Sequence, residues 1–134
     1  MILDVDGKKI EEPDNAAVAR EFESIDKRTG FRGALSCVTL RGDKLNSLTA
    51  GGHPVEGWGA LIHEEGGISY GANVPNPLKQ EKMIQIFQSY LRGEDSWKKE
   101  FEWEIMAGKF PIKRIIVGLA IFLALLFLSR SCVK

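Results

Sequence analysis

The sequence predicts an α+β protein, a small antiparallel β-meander with two helices, followed by a single C-terminal transmembrane helix. Three observations support this fold class. Short strand-like runs follow one another with turns between them, which is typical of a meander rather than of βαβ units. Two segments carry apolar residues at helical spacing. Residues 115–128 read IIVGLAIFLALLFL and contain no charged or polar side chain.

The N-terminal region predicts a hairpin and a helix. ILDVDGKKI alternates around Asp6-Gly7, a pair that favours a two-residue hairpin turn. Pro13-Asp14-Asn15 then predicts a helix start, and Thr29-Gly30 predicts the helix end. The apolar face of this helix contains Val18, Phe22 and Ile25.

The middle of the chain predicts short strands separated by turns. The strands are residues 34–40, 45–50, 59–63 and 68–72. The turns are Arg41-Gly42-Asp43 and residues 64–67, and residues 51–57 are predicted as a longer loop.

The following residues predict a second helix and a closing strand. Asn76-Pro77 predicts the helix cap, and the helix runs to about Arg92. Beyond a break at 93–95, apolar residues alternate with acids over 100–105, which predicts a half-buried strand. We therefore expect about six strands and two helices in this part of the chain. The apolar face of the second helix contains Met83, Ile84, Phe87, Tyr90 and Leu91.

Hydropathy and charge divide the chain into three parts. Residues 1–106 form an acidic α+β head, 107–111 a short linker and 112–134 a membrane anchor with basic flanks. As a helix, the apolar run is about 21 Å long, against about 30 Å for a hydrocarbon core. No polar face interrupts it, and flanking cations can snorkel to extend the span. We therefore predict a tail-anchored, single-pass membrane protein with a cytoplasmic head. A buried or interfacial helix is the alternative.

Individual residues of this anchor have predicted roles against the lipid bilayer. Gly118, Ala120 and Ala124 would let two such helices pack closely into a homo-oligomer. Small residues without any packing role are the competing interpretation. The membrane-flanking cations are Lys113, Arg114, Arg130 and Lys134.

The charge distribution limits what the head binds. The chain has 18 basic and 18 acidic residues, so it is neutral overall. The head has 13 basic and 18 acidic residues and a net charge of −5, whereas the tail carries +5. Because neutralised phosphates supply most nucleic-acid affinity, we expect no nucleic-acid partner. A basic protein partner fits the head, and anionic lipid headgroups fit the tail.

No residue set in the head predicts catalysis or a cofactor. His53 and His63 stand ten residues apart, a spacing that matches no standard metal site. Cys37 lies in a predicted strand and is interpreted as a small core residue. The serines lack a nucleophile motif, and the glycine-rich loop lacks the GK[ST] ending of a phosphate loop. We therefore expect no enzymatic activity, no cofactor and no metal.

Four residues are candidate contacts for a protein partner. Trp58 stands between two glycines at a loop-to-strand junction. An exposed Trp there would anchor a partner, whereas a buried one would fill the core, and both interpretations remain open. The other three are Glu64 and Glu65, in a predicted turn, and Tyr70, in the strand that follows.

The order of the elements in the head carries a family resemblance. Its pieces are Pro13-Asp14-Asn15-Ala16-Ala17, the meander over 35–71, Val74-Pro75 before the second helix, and Trp97 with Phe101-Glu102-Trp103-Glu104. Over about 90 residues, this order resembles the Imm1-type immunity proteins of bacterial toxin systems. The resemblance implies a non-enzymatic protein that binds and blocks a toxin, and an acidic head fits a basic toxin. The C-terminal apolar segment departs from the family pattern.

Two functions from different classes follow. The first is a membrane-anchored, non-enzymatic binding module that captures or neutralises a protein partner at the cytoplasmic membrane face, in immunity or defence. The alternative is a membrane effector, triggered by a ligand or a phage component, whose heads oligomerise and whose transmembrane helices disrupt the bilayer. A third, an enzyme acting at the membrane, has no supporting residue set.

Overall fold

The computed structural model describes residues 1–25, 35–43, 45–107 and 112–131, apart from the side chains of 107, 112–115 and 127–131. These ranges contain an antiparallel sheet, two helices packed on it, a short 3-10 helix and a C-terminal helix. The strands are β1 (Ile2–Val5), β2 (Lys8–Glu11), β3 (Ser36–Asp43), β4 (Asn46–His53), β5 (Gly57–Glu65), β6 (Ile68–Ala72) and β7 (Trp103–Ala107). The helices are α1 (Asn15–Glu23), α2 (Gln80–Leu91), the 3-10 helix Ser96–Glu100 and α3 (Ile112–Ser131).

The strands form one sheet in the order β2-β1-β3-β4-β5-β6-β7, with every neighbouring pair antiparallel. The α+β meander predicted for the head is confirmed, although the described residues contain seven strands rather than about six. The hairpin around Asp6-Gly7 is also confirmed, since Val5 pairs with Lys8 across it. β3 pairs with β1, so the chain returns to the hairpin after α1.

Two predicted connections are strands instead. Arg41-Gly42-Asp43, predicted as a turn, is the end of β3. The loop predicted at 51–57 is reduced to three turn residues, because β4 continues to His53 and β5 begins at Gly57. The glycines that indicated a loop permit close strand approach instead. A Cβ atom on Gly52 would lie 2.5 Å from the Cα atom of Trp58.

A side-chain cap sets the start of α1, whereas a tertiary contact sets the start of α2. Asp14 caps α1 by accepting a 2.7 Å hydrogen bond from the Ala17 N–H, as predicted. α2 begins at Gln80 rather than at Asn76-Pro77. Leu78 exchanges two 2.8 Å backbone hydrogen bonds with Trp58, which keeps this segment extended. The predicted end of the first helix at Thr29-Gly30 lies outside the described residues.

The core lies between the sheet and the two packed helices. Phe22 of α1 stands at its centre, with its ring 5.2 Å from Trp58 and 5.1 Å from Phe87, both edge-to-face. Cross-strand rows of apolar residues line the sheet side. The buried strand residues include Leu3, Val5, Val38, Leu40, Leu48, Ala50 and Leu61.

The transmembrane helix predicted at the C-terminus is wrong. In the part of the chain that the structure describes, no helix is long and apolar enough to cross a membrane. The physical reason is that Lys113, Arg114 and Arg130 fall within the bounds of α3. They leave an apolar run of about 21 Å, which is shorter than a hydrocarbon core of about 30 Å.

Several residues assigned to the anchor lie outside the described residues. The described residues leave out the side chains of Lys113, Arg114 and Arg130. They leave out Lys134 and the linker residues 108–111 entirely. The helix-packing candidates Gly118, Ala120 and Ala124 lie in α3, where the side chains of 116–126 are exposed.

Candidate protein-binding surface

Three of the four predicted contact residues lie on one hairpin. β5 and β6 are joined by Gly66 and Gly67, whose φ angles of +61° and +81° suit glycine. Glu64 and Glu65 lie at the end of β5, and Tyr70 lies on β6 opposite His63. The structure therefore places all three candidates on one hairpin, with the Glu64 side chain on the opposite face of the sheet from Glu65 and Tyr70.

Trp58 lies apart from them in the core. Its side chain has no exposed area and packs edge-to-face against Phe22. The core interpretation of Trp58 is confirmed, and its use as an exposed partner anchor is wrong. Burial follows from the extended strands, because Gly52 opposite Trp58 leaves room for the indole ring.

A cluster of aromatic rings supports the hairpin from beneath. His63 is stacked on Tyr70 at a centroid distance of 4.8 Å and meets Trp103 and Trp97 edge-on at 4.6 and 5.6 Å. The two indole N–H groups donate 2.7 Å hydrogen bonds, from Trp97 to the Glu94 carbonyl and from Trp103 to the Lys98 carbonyl. The Trp103 bond ties the 3-10 helix to β7, and the Trp97 bond closes the turn that precedes this helix. The cluster gives the overlying surface a fixed geometry.

Acidic side chains from three connections meet above this cluster. One depression, of about 150 Å³, is lined by the β5–β6 hairpin together with Asn46, Tyr90 and Lys98. A second, of about 410 Å³, shares Asn46 and Tyr90 with it and reaches the end of α2. We name this region the acidic surface. It contains Asp43, Glu64, Glu65, Glu94 and Asp95, together with Tyr70 and Tyr90.

Hydrogen bonds between turns hold the acidic surface in place. Asp43 accepts from the Leu45 N–H and the Asn46 amide, both at 2.9 Å, and these bonds lower the pKa of the Asp43 carboxyl. Asn46 in turn accepts from the Gly66 N–H at 3.3 Å, which links two neighbouring hairpins. Burial raises the pKa of Tyr90, and the carboxylates of Asp43 and Glu65 raise it further. The Tyr90 phenol is therefore a neutral hydrogen-bonding group between carboxylates.

Two cations pair with carboxylates of this surface. Arg92 donates to the two carboxylate oxygens of Glu94 at 3.0 and 3.1 Å, and Lys98 bridges Glu65 and Asp95. Lys98 Nζ is 3.3 Å from a carboxylate oxygen of Glu65, 3.3 Å from one of Asp95 and 5.6 Å from the centroid of the Trp97 ring. The side chain of Glu64 has no ion pair or hydrogen bond with any described residue. Lys98 shows how this surface holds an alkylammonium group, and Glu64 remains a free carboxylate.

Sequence reasoning missed several residues of this site. The sequence raised His63 only as a possible metal ligand, yet it is 6% exposed and lies on the core side of β5. His63 follows Leu61 by two residues in the same strand, and this spacing indicates that both side chains face the core. Tyr90 was assigned to the core face of α2, and it is half-buried at the rim of both depressions. No sequence signal placed Lys98 against Glu65, because 33 residues separate them.

Stability is expected to depend on the ionisation of His63. Burial lowers the pKa of His63, nearby Lys98 lowers it further, and Glu65 and Asp95 oppose the shift. Below the unfolded value of 6.5, the unfolded chain therefore binds more protons at this site than the folded chain. The free energy of unfolding should fall as pH falls through this window, by at most about 1.4 kcal/mol per pH unit for one proton.

Urea unfolding of wild type and of His63→Phe is measured at several pH values between about 7.5 and 5.5. The contribution of His63 is the difference between the two curves of unfolding free energy against pH. Phenylalanine retains an aromatic ring in the cluster and does not titrate. Parallel curves for the two proteins would show that His63 contributes no pH dependence.

The surface combines carboxylates and two phenols with a packed aromatic cluster, and this chemistry suits the binding of basic side chains. No protein-family model, curated protein or solved structure matches the chain. The resemblance to Imm1-type immunity proteins stays a prediction.

Proposed function

We propose that this protein is a non-enzymatic binding module that captures a basic protein partner through its acidic surface. The observation that carries the proposal is that five acidic residues line two adjoining depressions beside a rigid aromatic cluster. A toxin is the partner that the Imm1 resemblance implies.

The contacts at this surface support recognition of basic side chains. Lys98 occupies one such position within the chain, between two carboxylates and over an indole ring. A partner's lysine or arginine would meet carboxylate and phenol groups on the same surface. A guanidinium would gain additional energy from paired hydrogen bonds to a carboxylate.

The charge of the head supports the same partner chemistry. A net charge of −5 over 1–106 raises the rate of encounter with a basic protein and lowers it with an acidic one. The effect weakens with salt, because the screening length is about 10 Å at 0.1 M ionic strength. The membrane-effector alternative is favoured by no specific observation among the described residues.

Charge reversal at the hairpin is expected to abolish partner capture. The double variant Glu64→Lys with Glu65→Lys places two cations where the partner's cations bind, and at least about tenfold weaker binding should follow, mainly through slower association. The measurement is capture of a partner from cells that naturally produce the chain, with the captured protein identified by mass spectrometry. Association rates of that partner are then measured for both proteins at low and high salt.

A matched control changes the same charge elsewhere. Glu11→Lys with Glu23→Lys alters two exposed acids that have no ion pair with any described residue, one on β2 and one on α1. This control should bind the partner as wild type does. Equal loss of capture by both double variants, or capture of a partner that is not basic, would contradict the proposal.

A further inference from the structure

Among the described residues, β7 is the last strand of the sheet, and its outer edge lies open beside the acidic surface. The strand order places it last, next to β6. Two of its apolar side chains are unusually exposed, Ile105 at 69% and Met106 at 61%. Tyr70 of the acidic surface is the cross-strand partner of Ile105. The open edge and the acidic surface are therefore continuous.

The hydrogen-bond pattern shows which backbone groups face outward. The Asn73 N–H donates a 2.8 Å hydrogen bond to the Glu102 carbonyl, so Glu102 faces β6. Residues of an antiparallel strand alternate in direction, so Glu104 also faces β6, opposite Gly71. The N–H and C=O groups of Trp103 and the N–H of Ile105 consequently point away from the sheet, and the register shifts by one residue between Ile105 and Ala107. No described residue bonds to them.

The other edge of the sheet is protected differently. β2 has four residues and carries Lys8 and Lys9, and lysine on a short edge strand is a common guard against strand addition. Acids stand in place of lysines at this edge, with Glu104 in β7 and Glu102 directly before it. A β7 strand from a second copy would bring glutamates beside glutamates, which disfavours self-pairing. A basic strand would meet opposite charge.

We propose that β7 accepts an extended segment of the basic partner as an eighth strand, in which lysine or arginine alternates with apolar residues. The inference rests on the proposed function and names the chemistry of the partner segment. Basic side chains of the segment lie beside Glu104, and apolar ones lie beside Ile105, since alternate residues of a strand face opposite sides of the sheet. The outward groups of Trp103 and Ile105 supply the backbone hydrogen bonds, as in other cases of strand addition.

The test uses a capped nine-residue peptide of alternating lysine and valine, labelled for fluorescence anisotropy. The control peptide has the same composition with its lysines and valines in separate blocks. Full-length wild type should bind the alternating peptide at least about tenfold more tightly than the block peptide. Equal binding of the two peptides would overturn the inference, because charge alone would then explain it.

Two proline variants test the edge itself. Ile105→Pro removes an outward N–H and leaves the hydrogen bonds to β6 intact, so the fold should tolerate it. It should weaken binding of the alternating peptide about tenfold. Lys9→Pro is the matched control on β2, where the pairing of Met1 with Glu12 and of Leu3 with Ile10 makes Lys9 face outward. Binding by Lys9→Pro should stay within about twofold of wild type.

Hydrogen exchange on the wild-type protein provides a second test, and it does not require Ile105→Pro to fold. In wild type, hydrogen exchange of the Trp103 and Ile105 amides should slow at least about tenfold when the alternating peptide is bound. Unchanged exchange at both amides in saturated protein would overturn the inference. So would a wild-type dimer in sedimentation whose Trp103 and Ile105 amides are already protected from exchange without peptide, because the edge would then serve a second copy.

Failure of this inference and failure of the proposed function give different results. Suppose that Ile105→Pro binds the natural partner as wild type does, while Glu64→Lys with Glu65→Lys does not. The strand inference is then overturned, and the acidic surface remains the binding site. If the charge reversal has no effect on the natural partner, the proposed function itself fails.

Discussion

Replacing Trp58 by alanine is expected to lower the free energy of unfolding by about 3–5 kcal/mol. The indole ring is fully buried and packs against Phe22, so its removal leaves a large cavity at the centre of the core. Small domains are stable by only about 5–15 kcal/mol, so a large part of the total would be lost. Urea unfolding followed by circular dichroism measures the change.

Trp58→Phe is the matched control for this cavity. The Trp58 indole N–H is buried and has no hydrogen-bond partner among the described residues. Phenylalanine removes this unsatisfied donor and retains most of the ring volume, so the cost should stay below about 1.5 kcal/mol. A small cost for alanine, with weakened partner capture, would instead place Trp58 on a binding surface.

Gly52→Ala is expected to destabilise the protein by about 3 kcal/mol, the upper end for overpacking. A Cβ atom at this position would lie 2.5 Å from the Trp58 Cα and 2.6 Å from the Gly57 carbonyl oxygen. Both atoms belong to the backbone, which cannot move aside as a flexible side chain can. Thermal and urea unfolding of the variant measure the loss.

The neighbouring glycine provides the control for Gly52. A Cβ atom on Gly51 would meet only the Ala60 Cβ, at an ordinary contact distance of 3.5 Å. Gly51→Ala should therefore change stability by no more than about 0.5 kcal/mol. Equal effects of the two alanine substitutions would contradict the close approach of β4 and β5 at Gly52.

Local chemistry made parts of the fold predictable. Asp6-Gly7 specifies a two-residue hairpin, and Asp14 caps α1 through its own side chain. Both signals act within a few residues, so tertiary structure does not need to be known. The glycines at 51 and 52 show the opposite case. Their composition indicates a loop, yet the packing of Trp58 makes them strand residues.

The candidate site was partly predictable for the same reason. Glu64, Glu65 and Tyr70 belong to one hairpin, so their proximity follows from the sequence. Lys98 and Tyr90 reach this hairpin only through the packing of the 3-10 helix and α2. The apolar run at 115–128 led to a wrong prediction, a transmembrane helix, for a different reason. Its composition suits a membrane, but the cations within α3 leave too short an apolar length.

Site-specific photo-crosslinking tests the central claim most directly. A photoreactive amino acid replaces Glu65 on the acidic surface in one variant and Glu23 on α1 in another, and both are expressed in cells that naturally produce the chain. We predict that position 65 crosslinks to one discrete basic protein and that position 23 does not. Equal crosslinking from both positions, or no protein crosslinked from position 65, would contradict a binding module that acts through the acidic surface.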